Sequence, residues 1–307
     1  MWNHTSFLVG VSGNIFLLYA TVFHKALKLD GMSVWIVQNL ALADLLNCVF
    51  VLGVVLVSYD VGRQWVFGKG VCTLVAIFYN APRVAEIFLL CALSVNKLLR
   101  CVFPFRFMVV TRRAKITIAT VAVFLSLIPA FYKLHEVYVA RFLLPEFNHR
   151  CGVCDLRPKR DVDLAEAVPK AVTISVLYGL FTIVPSVVIV FTNTYLVVFA
   201  SRRTTSARGI NRRNLLVLAI ISAAFISSLI PSFYLRIVRA VAERWINPAH
   251  MALAFFWTFS SAWINPIIHL ASSPSLRKFS GALSRRLGGS VSKIMRSRSV
   301  SPAETEC

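Results

Sequence analysis

The sequence predicts an all-α membrane protein, a seven-transmembrane helix bundle followed by a short amphipathic helix. Three observations predict it. Seven strongly apolar stretches recur along the chain, each near the about 20 residues that a bilayer-spanning helix needs. Hydrophobic residues fill 57% of the 307 positions and charged residues only 15%, against about a quarter in a soluble domain. Lysine and arginine also gather in alternate loops, as they do on the cytoplasmic side of a multi-span protein.

The candidate spans are 7–23, 34–59, 71–99, 116–132, 171–200, 215–238 and 249–270. Together they make one seven-span unit over residues 1–272, with an amphipathic helix and a basic Ser/Arg tail over 273–307. There is no second domain, internal repeat or sizeable low-complexity block. Span one is short at its outer end, which suggests a truncated N-terminus. It lacks a basic start and a small-residue cleavage site, so it is read as its own insertion signal. Asn3-His4-Thr5 fits a glycosylation acceptor close to the membrane.

Span seven carries Asn265-Pro266-Ile267-Ile268-His269. Proline removes a helix donor and clashes one turn back, so Pro266 is a candidate hinge. Pro185 in span five and Pro231 in span six are candidate hinges for the same reason.

Formal net charge is +20. The odd-numbered loops and the tail hold most of it, including Lys25, Lys28, Arg112, Arg113, Arg202, Arg203, Arg212, Arg213, Arg277 and Lys278. The opposite loops mix bases with Asp60, Glu136, Glu146, Asp155 and Glu243. This asymmetry puts the N-terminus outside and the C-terminus inside. Orientation and attraction to anionic membrane lipid account for the charge, so no nucleic-acid partner is needed.

Sidedness also sorts the cysteines. Cys72, Cys151 and Cys154 fall in or beside outer loops, where oxidation is allowed. One disulfide is expected, from Cys72 to the loop after span four, with Cys154 preferred over Cys151 because it lies nearer span five. Cys151 and Cys154 also have redox or metal spacing, but no second such pair accompanies them. The six histidines show no ligand spacing, and no phosphate loop or serine-elbow motif is present. No enzyme, cofactor or metal is therefore expected.

In order along the chain, Gly13-Asn14, Asn39-Leu40-Ala41-Leu42-Ala43-Asp44-Leu45-Leu46, Trp65-Val66-Phe67-Gly68 with Cys72, Pro104, Pro185, Pro231 and Asn265-Pro266 resemble the motifs of the rhodopsin-like (class A) G-protein-coupled receptors. Trp65 and Cys72 resemble the first outer loop and its half of a disulfide. After span seven, residues 275–287 read as an amphipathic helix, with Leu276, Phe279, Leu283 and Leu287 as its apolar stripe. The resemblance covers nearly the whole chain. It implies a ligand-gated receptor of the plasma membrane that signals to a heterotrimeric G protein.

The chain departs from the family at several switch positions. Asn96-Lys97-Leu98 replaces Asp-Arg-Tyr, and Arg100 follows one turn on. Leu229 replaces a tryptophan, His269 the last-span tyrosine, and Asn193 the tyrosine of span five. Asn211-Arg212-Arg213 lacks the acid that often opens span six, so an ionic latch between spans three and six looks missing. Amine receptors carry an aspartate where Tyr79 stands, and visual pigments a span-seven lysine that is absent here.

Four ionisable residues lie at membrane depth: Asp44, Arg83, Glu86 and Lys97. Such charges are costly unless paired. Arg83 and Glu86 share a helix face. The resemblance turns Asn14, Asp44 and Asn265 toward the same polar centre, which in the family often holds sodium. An Asp44–Arg83–Glu86 cluster that partly replaces the ion is one expectation. The other has Arg83 pointing outward with Arg236 and Arg239, walled by Tyr79 and Phe233, to receive an anionic or peptide ligand. The resemblance assigns Lys97, Arg100, Arg202, Arg203, Arg212 and Arg213 to the G-protein groove. Ser297, Ser299 and Ser301 would recruit arrestin once phosphorylated. The altered switches keep a second reading open, a seven-span receptor or heteromer partner that does not signal. A transporter or channel is disfavoured by the missing repeat symmetry.

Overall fold

The computed structural model describes residues 2–23, 31–62, 64–78, 81–103, 112–138, 143–148, 153–158, 164–202, 212–242, 253–254 and 256–285. Span one is the helix Trp2–Val22, and span two runs from Gly31–Leu46 through a π-helical stretch, Asn47–Gly53, into Val54–Asp60. Span three comprises Gly68–Phe78 and Ala81–Val102. Spans four, five and six are Arg112–Tyr138, Leu164–Arg202 and Arg212–Ala242. Span seven is helical at 253–254 and 256–258, turns at Phe259 and Ser260, and continues as Ser261–Ser272. Among the described residues, five helices are long and apolar enough to cross a membrane. Span six contributes a shorter apolar stretch, Leu215–Pro231.

Helices extend beyond several apolar runs. Span four continues to Tyr138 and span five begins at Leu164, because helical hydrogen bonding does not stop where hydrophobicity does. The loop between them forms an antiparallel hairpin, Leu143–Asn148 with Val153–Pro158, pairing Phe147 with Cys154.

Cys154 on its second strand is disulfide-bonded to Cys72 at the start of span three, with Cα atoms 5.3 Å apart. Both sulfurs are buried with Ala76, under Trp65, Phe147 and Leu156. Trp65 donates from Nε1 to Gly68 O at 2.6 Å, which fixes the ring over the bridge.

Span three lies at the centre and packs against spans two, four, five and six. The main apolar core gathers Ile36 and Leu40 of span two, Ile87 and Leu90 of span three, Ile189 of span five, and Phe225 and Leu229 of span six. Residues 274–285 form a further helix after span seven. Its Leu276 is fully buried against Leu17, Ala20, Val37 and Ala41, while the Phe279 ring packs at a tilt 5.8 Å from that of Phe16. Arg277, Lys278 and Arg285 are exposed. Leu287 and the tail serines lie outside the described residues, as do Pro104, Cys151 and Arg203.

Spans one and seven approach closely where both lack bulk. A Cβ added at Gly13 would stand 2.9 Å from the Pro266 Cβ and Cγ atoms. A pyrrolidine ring cannot swing aside, so a side chain there must push the two helices apart. Gly13→Val is expected to cost about 1–3 kcal/mol, the usual range for overpacking. Thermal unfolding in detergent should record this loss, with Gly70→Ala as the control, since a Cβ at Gly70 meets nothing within 4 Å.

Candidate functional site

The polar centre is assembled by four spans. Asn14 of span one is fully buried and donates from Nδ2 to Gly10 O at 2.9 Å and to Ala262 O at 2.7 Å. The second bond answers a specific deficit. Ala262 is four residues before Pro266, which has no N–H to give it. The asparagine of span one thus supplies the hydrogen that the proline of span seven withholds.

Asn265 donates from Nδ2 to Asp44 Oδ2 at 2.9 Å. Glu86 of span three accepts from Asn47 Nδ2 and, at 3.4 Å, from Ser261 Oγ. Asp44, Glu86, Asn47, Ser261 and Asn265 are all buried. Four oxygens here have no hydrogen-bond partner among the described residues: Asp44 Oδ1, and Oδ1 of Asn14, Asn47 and Asn265. The structure therefore brings together Asn14, Asp44, Glu86 and Asn265, and adds Asn47 and Ser261. Asn47 had a legible signal, its position one helical turn beyond Asp44. Ser261 belongs to the polar tract Thr258-Phe259-Ser260-Ser261.

The direct bonds of Arg83 go to spans six and seven. It makes no direct bond to Asp44 or Glu86, although its charge acts on both carboxyls, and it is 2% exposed. Its Nη1 donates to Thr258 O of span seven and its Nη2 to Ser228 Oγ of span six at 2.9 Å. Phe225 and Phe259 flank the guanidinium, each ring centroid 5.4 Å from Cζ. That direction has a physical reason. The guanidinium sits on a long side chain, so sharing a helix face with Glu86 does not decide where the fork ends. Span seven supplies the acceptor: at the turn, the amide of Ala262 bonds Phe259 O, not Thr258 O as in a regular α-helix. Ser228 in turn donates to Phe225 O at 2.6 Å, so its hydroxyl accepts from Arg83 while giving its own hydrogen away. Ser228, Thr258, Phe225 and Phe259 were not foreseen, and only the polar pairs Ser227-Ser228 and Ser260-Ser261 in apolar spans hinted at them.

The remaining candidates divide. Tyr79 lies outside the described residues. Phe233, Arg236 and Arg239 lie on span six, and Arg202, Arg212 and Arg213 at the ends of spans five and six, with only their backbone described. Lys97 and Arg100 are half-buried near the end of span three. Pro185, Pro231 and Pro266 all lie inside helices. Leu229 and His269, at altered switch positions, are buried.

Two buried carboxyls are neighbours here, and Arg83, bonded elsewhere, acts on them through its charge and not through a direct ion pair. The two carboxyls repel each other when both are ionised. Glu86→Gln, which keeps an acceptor for Asn47, is expected to leave thermal stability unchanged or raised. Glu86→Leu should lower it by about 1–3 kcal/mol, because Asn47 loses its acceptor. Equal losses for both variants in an unfolding assay would show that the charge itself is required.

The sequence profile described as "7 transmembrane receptor (rhodopsin family)" matches residues 13–269. The G-protein coupled receptor homolog K2 of Swinepox virus (strain Kasza) is 25% identical over 281 residues, covering 86% of this chain and 70% of the viral one. Cysteinyl leukotriene receptor 1 of Mus musculus is 25% identical over 229 residues, 73% of this chain and 61% of the relative. Proteinase-activated receptor 3 of Bos taurus is 28% identical over 141 residues, 40% of this chain and 37% of that protein, so this last match spans little more than a third of the relative's length. The profile spans most of the helical bundle and both halves of the polar centre, and on that match the chain belongs to the rhodopsin family of seven-transmembrane receptors.

Proposed function

We propose that this chain is a plasma-membrane receptor, N-terminus outside, that converts binding of an extracellular ligand into activation of a heterotrimeric G protein. The observation that carries this reading is the position of Arg83. One side chain of the central helix holds span six through Ser228 and span seven through Thr258. A ligand acts only by favouring one arrangement over another. Arg83 lies where a shift of span three, six or seven must break or remake its bonds.

In this reading the ligand enters above Arg83, between Tyr79, Phe233, Arg236 and Arg239. A basic mouth of that kind suits a carboxylate, a phosphate or a peptide C-terminus. Contact at the mouth is transmitted inward through the Arg83 bonds and the helices loosened at Pro185, Pro231 and Pro266. The Gα terminus is then received among Lys97, Arg100, Arg202, Arg203, Arg212 and Arg213. Serines of the tail provide the arrestin site, and the helix at 274–285 rests on membrane lipid through its basic face.

Arg83 takes the place of the ionic latch missing from the inner ends of spans three and six. It holds the resting arrangement from the middle of the bundle. Arg83→Met is therefore expected to raise ligand-independent nucleotide exchange on coexpressed Gα subunits. It should also cost about 1–3 kcal/mol of thermal stability, since Thr258 O loses a donor. Arg83→Lys, which lacks the planar fork, should show a smaller rise. Arg236→Ala should leave basal exchange unchanged and reduce ligand response. If Arg83→Met lowers stability while exchange stays at zero for every Gα subunit, the reading as a receptor that does not signal is favoured instead.

A further inference from the structure

Arg83 and Glu86 stand three residues apart on span three. Their side chains therefore leave one face of the helix, with β-carbons about 5–6 Å apart. Span seven answers them with the same spacing. Arg83 bonds Thr258 O, and Glu86 accepts from Ser261 Oγ, three residues further on. The cation and the acid occupy neighbouring rungs between the same two helices. Asp44 of span two lies beside the acid rung, and the Arg83 charge acts on both carboxyls.

Both rungs are incomplete. Arg83 carries more N–H donors than its two bonds use, and its Nε–H has no hydrogen-bond partner among the described residues. Asp44 Oδ1 has none either. The two residues are 2% and 1% exposed, and a bilayer core supplies no water to relieve them. A donor and an acceptor of opposite charge thus lie unsatisfied in one dry centre, because of where the guanidinium rests. Two bonds to neutral oxygens hold it there, with the rings of Phe225 and Phe259 on either side. It forgoes a bond to carboxylate, in which both partners carry charge and the planar fork can meet two oxygens. Low dielectric strengthens that bond further. Leaving the first set of contacts costs both rings and deprives Thr258 O of a donor, so each arrangement offers what the other lacks. Residues three apart on a helix are neighbours, so a change of rotamer carries the fork from one rung to the other without moving the backbone. The bond from Ser261 to Glu86 Oε2 is long, at 3.4 Å, and leaves that oxygen open to a better donor.

We propose that the Arg83 guanidinium has two bonded positions. In the first it ties span three to Ser228 of span six and Thr258 O of span seven. In the second it turns along its own helix face, gives Nε–H to Asp44 Oδ1 and an Nη–H to Glu86 Oε2, and releases spans six and seven. The first position joins span three to spans six and seven; the second joins it to span two. A ligand that draws the fork away from Ser228 favours the second position. That last consequence rests on the receptor reading above, whereas the two positions do not.

The test uses the full chain in phosphatidylcholine nanodiscs, with arginine isotopically labelled at Nε for NMR. Loss of one resonance in Arg83→Lys identifies the Arg83 Nε–H signal. Ser228→Ala weakens the first position and should move that signal toward that of a carboxylate-bonded guanidinium. Glu86→Gln weakens the second and should move it the opposite way. In the nucleotide-exchange assay, Ser228→Ala should raise the ligand-independent rate about fivefold, the equivalent of one net hydrogen bond. Adding Glu86→Gln should lower it again by a similar factor. Thermal unfolding checks that each variant folds; if Ser228→Ala does not, Phe225→Leu, which removes one flanking ring, replaces it. A signal that Glu86→Gln leaves in place, or that both variants move the same way, overturns the proposal and leaves the guanidinium one position. Opposite shifts with no exchange on any Gα subunit uphold the two positions and count against the receptor reading alone. A rise in exchange with an unmoved signal does the reverse.

Discussion

Pro266 removes the amide hydrogen that Ala262 O would accept, and in a bilayer no water takes its place. The rest of the bundle is arranged around deficits of this kind. Asn14 repairs the one at Ala262, and the close approach of the two spans depends on Gly13 presenting no side chain to Pro266. Arg83 bonds Thr258 O at the turn just before, where span seven leaves its regular hydrogen-bond ladder. Two irregularities in one helix are thus met from two other helices. Each repair fixes where a neighbouring span must stand.

The same rule explains how the core tolerates an arginine. A guanidinium is weakly hydrated for an ion and can lie against aromatic faces. Phe225 and Phe259 flank it, and each such contact contributes about 0.5–2 kcal/mol when desolvated. Rings and neutral oxygens therefore make the direct contacts to Arg83, while Asp44 and Glu86 act on it through charge alone. The consequence falls on Asp44 and Glu86, whose bonds come from amide and hydroxyl donors.

Much of this architecture was legible because hydrocarbon is an undiscriminating solvent. It demands long apolar runs, and seven of them can be counted in the sequence. Motif order then placed Asn14, Asp44 and Asn265 together, and sidedness paired Cys72 with Cys154 or Cys151. What stayed hidden depends on side-chain reach and backbone irregularity. Spacing put Arg83 beside Glu86 but could not say which way a guanidinium on a long side chain would turn. Ser228 and Thr258 matter through what they bond, and nothing in their local sequence announces that. The hairpin at 143–158 lacks a tight turn signal, so it read as loop.

The π-helical stretch Asn47–Gly53 has a consequence of a different kind. A π turn takes in one residue more than an α turn before it closes. In a loop an inserted residue bulges into water, but inside a bilayer it has nowhere to go, so the helix absorbs it by widening. Everything beyond the stretch is then rotated relative to the part that carries Asp44. A helical wheel drawn straight through span two would assign the half beyond Gly53 to the wrong neighbours, and an alignment that keeps Asp44 in register would slip by a position past Gly53. In this chain the count of residues between a span's polar anchor and its outer end is not a safe measure of orientation.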